Sequence, residues 1–196
     1  MRHIWVTIAS ALAFCATAAT DAGRMSKAMG SPAAPIAVEI FSDYGCLHCR
    51  NVHEQWLGPL IRDYVKPGKV RLLLREYPLP GHDAARKGSE YACAADRIGK
   101  YGPVTDALFR EQENWLASGK IVETVMSALS ASEAAQVKTL VKDPTVLARV
   151  AQDVSAGDKL KIHMTPGIFV TFKGKTYPVD AQSEYSLFAR LLDCLK

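Results

Sequence analysis

The sequence lacks two features that would assign it to large classes of proteins. It has no basic run, because 24 Lys and Arg residues stand against 20 Asp and Glu residues, a formal net charge of +4 over 196 residues. So mild and dispersed a surplus gives no footprint for DNA or RNA, and we expect no nucleic-acid partner. The apolar run at residues 4–14 is shorter than the roughly 20 residues that a membrane-spanning helix needs. The composition of the whole chain, 48% hydrophobic, suits one domain with a substantial core.

The start of the chain has the pattern of a secretory signal. A short basic segment precedes the apolar run, and Ala16-Thr17-Ala18 supplies small residues for cleavage. We expect a signal peptide of residues 1–18, with cleavage after Ala19, lipidation at Cys15 or a retained anchor as alternatives. The protein is then periplasmic or otherwise exported, and its cysteines meet an oxidising compartment.

Five cysteines are few, and two of them form the motif around which the chain is organised. Cys46 and Cys49 follow an apolar strand pattern at residues 36–42 and precede a helical pattern at residues 49–64. Strand, Cys-x-x-Cys and helix is the arrangement typical of a redox site. A helix beginning there directs free backbone N–H groups and its positive dipole end at the Cys46 sulfur, and a His48 imidazolium would stabilise the thiolate further. Since a low thiolate pKa stabilises the dithiol over the disulfide, we expect the pair to give its disulfide away.

A metal site is the alternative for the same residues. His53 together with Cys46 and Cys49 could supply three zinc ligands. The sequence has no second Cys-x-x-Cys or His-x-His pair at zinc-ribbon spacing to complete a four-ligand site. We therefore favour redox chemistry over zinc and over a purely structural disulfide. We expect no cofactor other than the redox-active disulfide Cys46/Cys49.

The rest of the chain predicts a strand, a helix, a strand, a helical insertion, a β-hairpin and a final helix. Residues 19–34, with small residues, Gly and Pro, are predicted to be a flexible linker. Strands are predicted at residues 36–42, 70–75, 165–172 and 176–179. Helices are predicted at residues 49–64, 83–100, 104–115, 121–129 and 185–195, with further helix starts at a Ser130/Glu133 capping box and at Asp143-Pro144. The final helix is predicted to have Leu187, Leu191, Cys194 and Leu195 on one apolar face.

In combination these motifs resemble the exported thioredoxin-fold oxidoreductases of the DsbA-like family. The matching segments are Phe-Ser-Asp-Tyr-x-Cys-x-x-Cys at residues 41–49, residues 101–115, and Thr165-Pro166 before the hairpin. The resemblance covers roughly residues 35–196. It implies an α/β, thioredoxin-like fold with a helical domain inserted between the second strand and the cis-Pro strand. Residues 35–81 and 161–196 would form the thioredoxin-like domain and residues 82–160 the inserted helical domain.

The resemblance also implies a substrate site and partners. Pro166 would be cis beside the active-site disulfide, and Thr165 would present backbone groups to an extended substrate chain, a sequence-tolerant mode of recognition. The substrates would be unfolded or reduced exported proteins. A membrane partner linked to quinone would reoxidise the pair, and we expect a monomer.

Two departures from the family pattern concern the active site. The family usually has proline after the first cysteine, where this chain has Leu47, and the intervening dipeptide tunes the thiolate pKa and the redox potential. The family also commonly places a buried acid six residues before the first cysteine, where this chain has Ile40. We expect a one-residue bulge that turns the preceding Glu39 inward. The alternatives are that the acid is absent or lies on the other face of the strand, with Glu39 a solvated strand charge.

The sequence thus predicts an enzyme, a thiol:disulfide oxidoreductase that donates the Cys46/Cys49 disulfide to exported proteins by way of a mixed disulfide. A substrate thiolate would attack Cys46, and Cys49 would leave and later reclose. A disulfide isomerase or reductase, which Leu47 and Thr165 permit, is one alternative, and a non-catalytic chaperone-like binding module is another. Cys93 and Cys194 could form a second, structural disulfide or remain free thiols on apolar helical faces.

Overall fold

The computed structural model describes residues 25–195. The predicted signal peptide, Cys15 and residues 19–24 of the predicted linker lie outside the described residues. Within residues 25–195, every helix is too short or too polar to cross a lipid bilayer.

A mixed five-stranded sheet forms the centre of the molecule, in the order β1-β3-β2-β4-β5. The strands are β1 (Ala28–Met29), β2 (Ile36–Ser42), β3 (Val70–Glu76), β4 (Gly167–Phe172) and β5 (Lys175–Val179). The central strand β2 runs parallel to β3 and antiparallel to β4. Because β2 is central, the motif that follows it begins in the middle of one edge of the sheet.

Helices cover the sheet and fill the interval between β3 and β4. The helices are α1 (Leu47–Gln55), α2 (Leu57–Leu60) continued by a π-helical turn (Ile61–Val65), α3 (Asp83–Asp96), α4 (Tyr101–Arg110), α5 (Gln112–Ser118), α6 (Ile121–Ser127), α7 (Ala131–Leu140), α8 (Pro144–Lys159) and α9 (Tyr185–Cys194). The predicted helix starts at Ser130 and Asp143 are confirmed. Ser130 and Glu133 form the reciprocal capping box, and the Asp143 carboxylate accepts from the Thr145 N–H.

Strand β2 buries side chains on both faces, as a central strand does. Val38 and Ile40 belong to the main core, whereas Phe41 packs with Tyr77 and Ile162 on the opposite face. The pairing of β2 runs residue by residue along both neighbouring strands.

The regular pairing of β2 makes the predicted bulge at Glu39 wrong. Strand alternation places Glu39 on the face of Phe41, away from Ile40. Its carboxylate Oε1 lies 2.7 Å from Nη2 of Arg75 and accepts a second bond from Nε at 3.0 Å. Glu39 is therefore a half-buried ion-pair residue of the sheet, and it does not supply an inward-facing acid.

The predicted flexible linker is wrong for residues 27–29. β1 pairs with β3, and the Leu74 N–H donates to the Lys27 carbonyl at 2.8 Å. The Lys27 side chain is fully buried, where its ammonium contacts the carboxylates of Glu76 and Asp153. Composition indicated a loop here, but a buried ion pair with distant residues orders the segment.

The apolar face predicted for the last helix is wrong for Leu187, Leu191 and Cys194, whereas Leu195 packs against the core as predicted. α9 buries Phe188 and Leu192 instead, and the Phe188 ring stacks on Trp56 of the α1–α2 junction with centroids 5.2 Å apart. Leu187 and Leu191 are 48% and 39% exposed.

Within residues 25–195, the two cysteines outside the motif are free thiols in different environments. Cys93 is buried on α3, and Cys194 is exposed at the end of α9. α3 packs against the other helices of the insertion, whereas α9 packs on the α1–α2 side through Trp56 and Tyr64. The structure therefore shows the free-thiol alternative for both residues.

Candidate active site

Cys46 occupies the N-cap position of α1. Its backbone is extended (φ −92°, ψ 122°), and its sulfur accepts the Cys49 N–H at 3.4 Å. The helix thus begins at Leu47, two residues earlier than the sequence predicted. The first-turn N–H groups point at the Cys46 sulfur, as the spacing of strand, motif and helix indicated. The Cys46 Sγ also lies 3.2 Å from the carbonyl oxygen of Thr165, which accepts a hydrogen bond from the sulfur only when the thiol is protonated.

This environment lowers the pKa of the Cys46 thiol to about 6. The largest cause is a hydrogen bond from the Cys49 side chain; contacts with Thr165 and with the backbone N–H groups of Cys49 and His48 add to it, against the effect of partial burial. Cys46 is therefore largely a thiolate at neutral pH. The His48 side chain is exposed, and the proposed role of its imidazolium stays a prediction.

Cys49 has the opposite character. It is 1% exposed, and the Asp43 N–H donates to its sulfur at 3.4 Å. Burial raises the pKa of the Cys49 thiol well above its usual value, and the adjacent Cys46 sulfur raises it further. The two cysteines are thus a half-buried, acidic thiol and a fully buried, weakly acidic one.

The segment before β4 closes the site on the other side of Cys46. The Thr165–Pro166 peptide bond is cis. The Thr165 carbonyl reaches Cys46, as described, while the Thr165 hydroxyl is buried without a hydrogen-bond partner among the described residues. The structure thus brings Cys46, Cys49, Thr165 and Pro166 together.

Asp43 holds the loop that carries the motif. Its carboxylate is fully buried and accepts from the Gly45 N–H at 2.6 Å, the Leu79 N–H at 2.8 Å and Nδ1 of His82 at 2.7 Å. Sequence reasoning missed this role and found no partner for His82. The Asp-x-Gly spacing before Cys46 is the signal that could have found it, because aspartate commonly bonds the backbone two residues on.

A second support comes from the helical insertion. Gln112 at the start of α5 is fully buried, and its amide Nε2 donates to the carbonyls of Tyr44 at 2.6 Å and Cys46 at 3.0 Å. These bonds tie the backbone of the motif to the insertion. No local sequence pattern marks Gln112, since its partners lie more than sixty residues away.

A fully buried acid lies on β3 and not on β2. Glu76 is 1% exposed, and its Oε1 receives the hydroxyls of Tyr101 at 2.9 Å and Tyr44 at 3.4 Å and the Lys27 ammonium at 3.3 Å. Burial raises the pKa of Glu76. Asp153 of α8 completes the cluster, 2.7 Å from Lys27 Nζ.

A small cavity of about 20 Å³ lies beside Cys49, between the sheet, α1 and α4. It is lined by Ile40, Ser42, Tyr44, Cys49, Val52, His53, Leu57, Leu74, Tyr101, Thr105 and Phe109. This volume is enough for about one water molecule.

The zinc alternative finds no support among residues 25–195. In that range no three His, Cys, Asp or Glu side chains are grouped so as to hold a metal ion. His53 instead bonds Asp106 of α4, with its Nε2 2.7 Å from the carboxylate oxygen Oδ1.

Comparisons with known proteins agree on the fold. The family model described as thioredoxin matches residues 23–193. A probable disulfide bond formation protein D of Bacillus cereus is 24% identical over 153 residues, which cover 74% of this chain and 69% of that protein. The crystal structure of Wolbachia pipientis alpha-DsbA1 has a TM-score of 0.67 and 22% identity, covering 86% of this chain and 89% of that one. A thioredoxin-like oxidoreductase from Silicibacter pomeroyi has a TM-score of 0.65 and 26% identity, covering 85% and 89%.

These matches confirm the predicted α/β, thioredoxin-like fold, with the helices α3 to α8 standing between β3 and the strand after Pro166. The family model spans nearly all of the described residues, including both cysteines of the motif. The chain therefore belongs to the thioredoxin family, with the fold and the Cys-x-x-Cys pair of its DsbA-like thiol:disulfide oxidoreductases.

Proposed function

We propose that this thiol:disulfide oxidoreductase donates its Cys46/Cys49 disulfide to reduced, exported protein chains. The observation that carries the proposal is the asymmetry of the pair, in which the Cys46 pKa is lowered to about 6 while the Cys49 pKa is raised. A stabilised Cys46 thiolate favours the dithiol over the disulfide, so the equilibrium favours passing the disulfide to a substrate.

The proposed reaction has two exchange steps. A substrate thiolate attacks the Cys46 sulfur, the Cys46–Cys49 bond breaks with its electron pair on Cys49, and a mixed disulfide forms. A second substrate thiolate attacks the substrate sulfur of that mixed disulfide, and Cys46 leaves as a thiolate. The substrate has lost two electrons and the pair has gained them. A quinone-linked membrane partner would take these electrons away, and no further cofactor is needed in this cycle.

The surface around Cys46 suits an extended substrate. Two apolar side chains are exposed there. Leu47, within the motif, is 52% exposed, and Met164, directly before Thr165, is 69% exposed. The backbone of Thr165 would pair with the substrate in a strand-like manner, which makes recognition tolerant of sequence. The name of the Bacillus cereus relative, a disulfide bond formation protein, agrees with this direction of the reaction. We propose that the protein acts as a monomer after export.

The experiment that tests the proposal is the equilibrium redox potential of the Cys46/Cys49 pair against glutathione, together with oxidation of a reduced, unfolded protein. We expect a potential near the strong-oxidant end, about −120 mV. A value near that of thioredoxin, about −270 mV, would overturn the donor function in favour of a reductase or isomerase.

Two variants assign the roles of the cysteines. We expect Cys46→Ser to abolish oxidation of the substrate. We expect Cys49→Ser, after its Cys46 has been converted to a mixed disulfide with glutathione, to release glutathione to the attacking substrate thiolate and to accumulate the mixed disulfide with the substrate. Undiminished oxidase activity of Cys46→Ser would contradict the assignment. The variant with both substitutions tests the chaperone-like alternative. That alternative would be correct if this double variant bound unfolded chains as well as the native protein does and if the native protein oxidised none of them.

A further inference from the structure

Cys49 poses a protonation problem that the two cysteines do not solve by themselves. When the disulfide is opened, Cys49 leaves as a thiolate in a site where it is 1% exposed. Burial there disfavours the charged sulfur and raises the pKa of its thiol. The sulfur must therefore take up a proton when the pair is reduced and lose it when the disulfide is reformed. A group that reaches both Cys49 and solvent would carry that proton.

His53 lies in the right place on the same helix. It follows Cys49 by four residues on α1, so the two side chains lie one turn apart on one face. Both line the cavity of about 20 Å³, which has room for about one water molecule. The Phe109 ring, 4.7 Å from the imidazole between centroids, holds the orientation of His53 from α4.

The far side of His53 leads to solvent. Its Nε2 is 2.7 Å from Oδ1 of Asp106, and the two side chains are 11% and 57% exposed. The pair thus spans the wall of the molecule, with the imidazole on the cavity and the carboxylate at the surface. A histidine is the side chain best suited to accept and release protons near neutral pH.

Other ionisable groups near the cavity do not offer such a route. The hydroxyls of Tyr44 and Tyr101 line it, but both donate to Glu76. The Glu76 cluster continues through buried Lys27 and buried Asp153 to Arg75, whose guanidinium stays charged and does not relay a proton.

The remaining charged groups near α1 are engaged elsewhere. Arg50 on α1 pairs with Glu113 of α5, and a guanidinium does not release its proton at neutral pH. Asp43, bonded to His82, contacts the Cys49 sulfur only through its backbone amide, which does not transfer a proton.

We propose that His53 is the proton carrier of Cys49 and that Asp106 is its partner at the surface, a role that rests on the thiol–disulfide exchange proposed above. As the Cys46–Cys49 bond breaks, the His53 imidazolium gives one proton to the Cys49 sulfur, directly or through one water. The neutral imidazole is then reprotonated from solvent beside Asp106. In reoxidation the neutral imidazole takes the Cys49 proton, and the Cys49 thiolate attacks the mixed disulfide on Cys46. No electrons pass through His53.

The test compares His53→Gln and Asp106→Asn with the native protein in stopped-flow reduction and reoxidation by small thiols and disulfides, from pH 5 to 9. Glu113→Gln is the matched control, because it removes another ion pair between α1 and the insertion without removing an imidazole. We expect His53→Gln to slow both directions about a hundredfold, at the lower end of the range of general acid–base effects. We expect it to remove one titration step from both pH profiles and to leave the equilibrium redox potential unchanged. Asp106→Asn should act in the same direction with a smaller effect, and Glu113→Gln should match the native protein.

Three outcomes would overturn the proposal. One is a native pH profile in His53→Gln, and another is a rate change in one direction only with a shifted potential, which indicates an effect on the stability of the dithiol. The third is loss of the titration step in His82→Gln instead of His53→Gln. The use of small thiols keeps this test separate from the test of the donor function. A redox potential like that of thioredoxin would overturn the donor function, but the loss or retention of the titration step in His53→Gln would still decide the role of His53.

Discussion

At the scale of single residues, the two sulfurs of the motif differ because of where their backbone places them. Cys46 caps α1 and lies against the Thr165 carbonyl, whereas Cys49 is in the first turn and faces the core. One helix start therefore creates both a stabilised thiolate and a buried thiol. Leu47, which replaces the usual proline of the family, is exposed and leaves this geometry intact.

The low Cys46 pKa predicts a pH dependence of stability in the reduced protein. The folded value is about 6 and the ordinary value is 9.0, so between these limits the unfolded chain binds more protons than the folded one. Stability of the reduced form should thus rise with pH from about 6 to 9 and lose this contribution as pH falls through 6. Urea unfolding of the native protein and of Cys46→Ala, both reduced, measures the difference.

A constant difference in stability between the native protein and Cys46→Ala would contradict this prediction. If the gap in unfolding free energy between the two proteins stayed flat from pH 6 to 9, the Cys46 thiolate would not be stabilised by the fold. Alkylation of Cys46 by iodoacetamide gives an independent check, because its rate should fall as pH drops through about 6.

At the scale of elements, α9 shows how a helix can present two plausible apolar faces. Leu187, Leu191 and Cys194 have helical spacing, but the buried residues are Phe188 and Leu192. Trp56, at the end of α1, selects the second face by stacking on Phe188. Packing on another element, rather than spacing within α9, decides the orientation.

Adjacent residues of α9 give a matched test of this orientation. We expect Phe188→Ala to lower the free energy of unfolding by about 3 to 5 kcal/mol, because it removes a fully buried ring. Leu187→Ala, on the exposed side, should change it by no more than about 0.5 kcal/mol. Chemical denaturation of the two variants measures both, and the reverse ranking would restore the face predicted from the sequence.

The sequence was sufficient to predict most of the helices and strands, but it was not sufficient to predict the contacts between them. β2 was predicted at residues 36–42 because its apolar run has strand length, and the start of α8 because Asp143 and Pro144 act locally. Cys46 and Cys49 were recognisable from their spacing. Glu76, Gln112 and Lys27 were not, because each acquires its role from partners distant in sequence. Glu39 was misplaced because the pattern cannot distinguish a bulge from regular pairing.

At the scale of the whole molecule, three separate parts of the chain meet at the Lys27 cluster. Lys27 comes from the N-terminal segment, Glu76 from the end of β3 and Asp153 from α8 of the insertion. Its ammonium lies between two buried carboxylates, and their attraction raises the Lys27 pKa although burial alone would lower it. The cluster therefore fastens the N-terminal segment and the insertion to the sheet.

Removing this buried cation should be costly. Lys27→Met leaves Glu76 and Asp153 without the cation between them, and we expect a loss of about 3 to 5 kcal/mol in the free energy of unfolding at neutral pH. The loss should shrink at acidic pH, where Glu76, whose pKa burial raises, becomes protonated. Lys142→Met, at an exposed position, is the control. Equal stabilities of the two variants in urea would show that the cluster contributes nothing to the fold.

The bond between Cys46 and the Thr165 carbonyl joins residues 119 positions apart. A ribosome that makes the chain from its amino terminus delivers both cysteines of the motif long before it delivers Thr165, Gln112 or β4. During that interval the pair lacks both the contact with the Thr165 side chain that helps to lower the Cys46 pKa and the pairing of β2 with β4. The full oxidising character of Cys46 is thus acquired only by the finished chain, and a nascent or truncated product would carry two thiols of more ordinary reactivity.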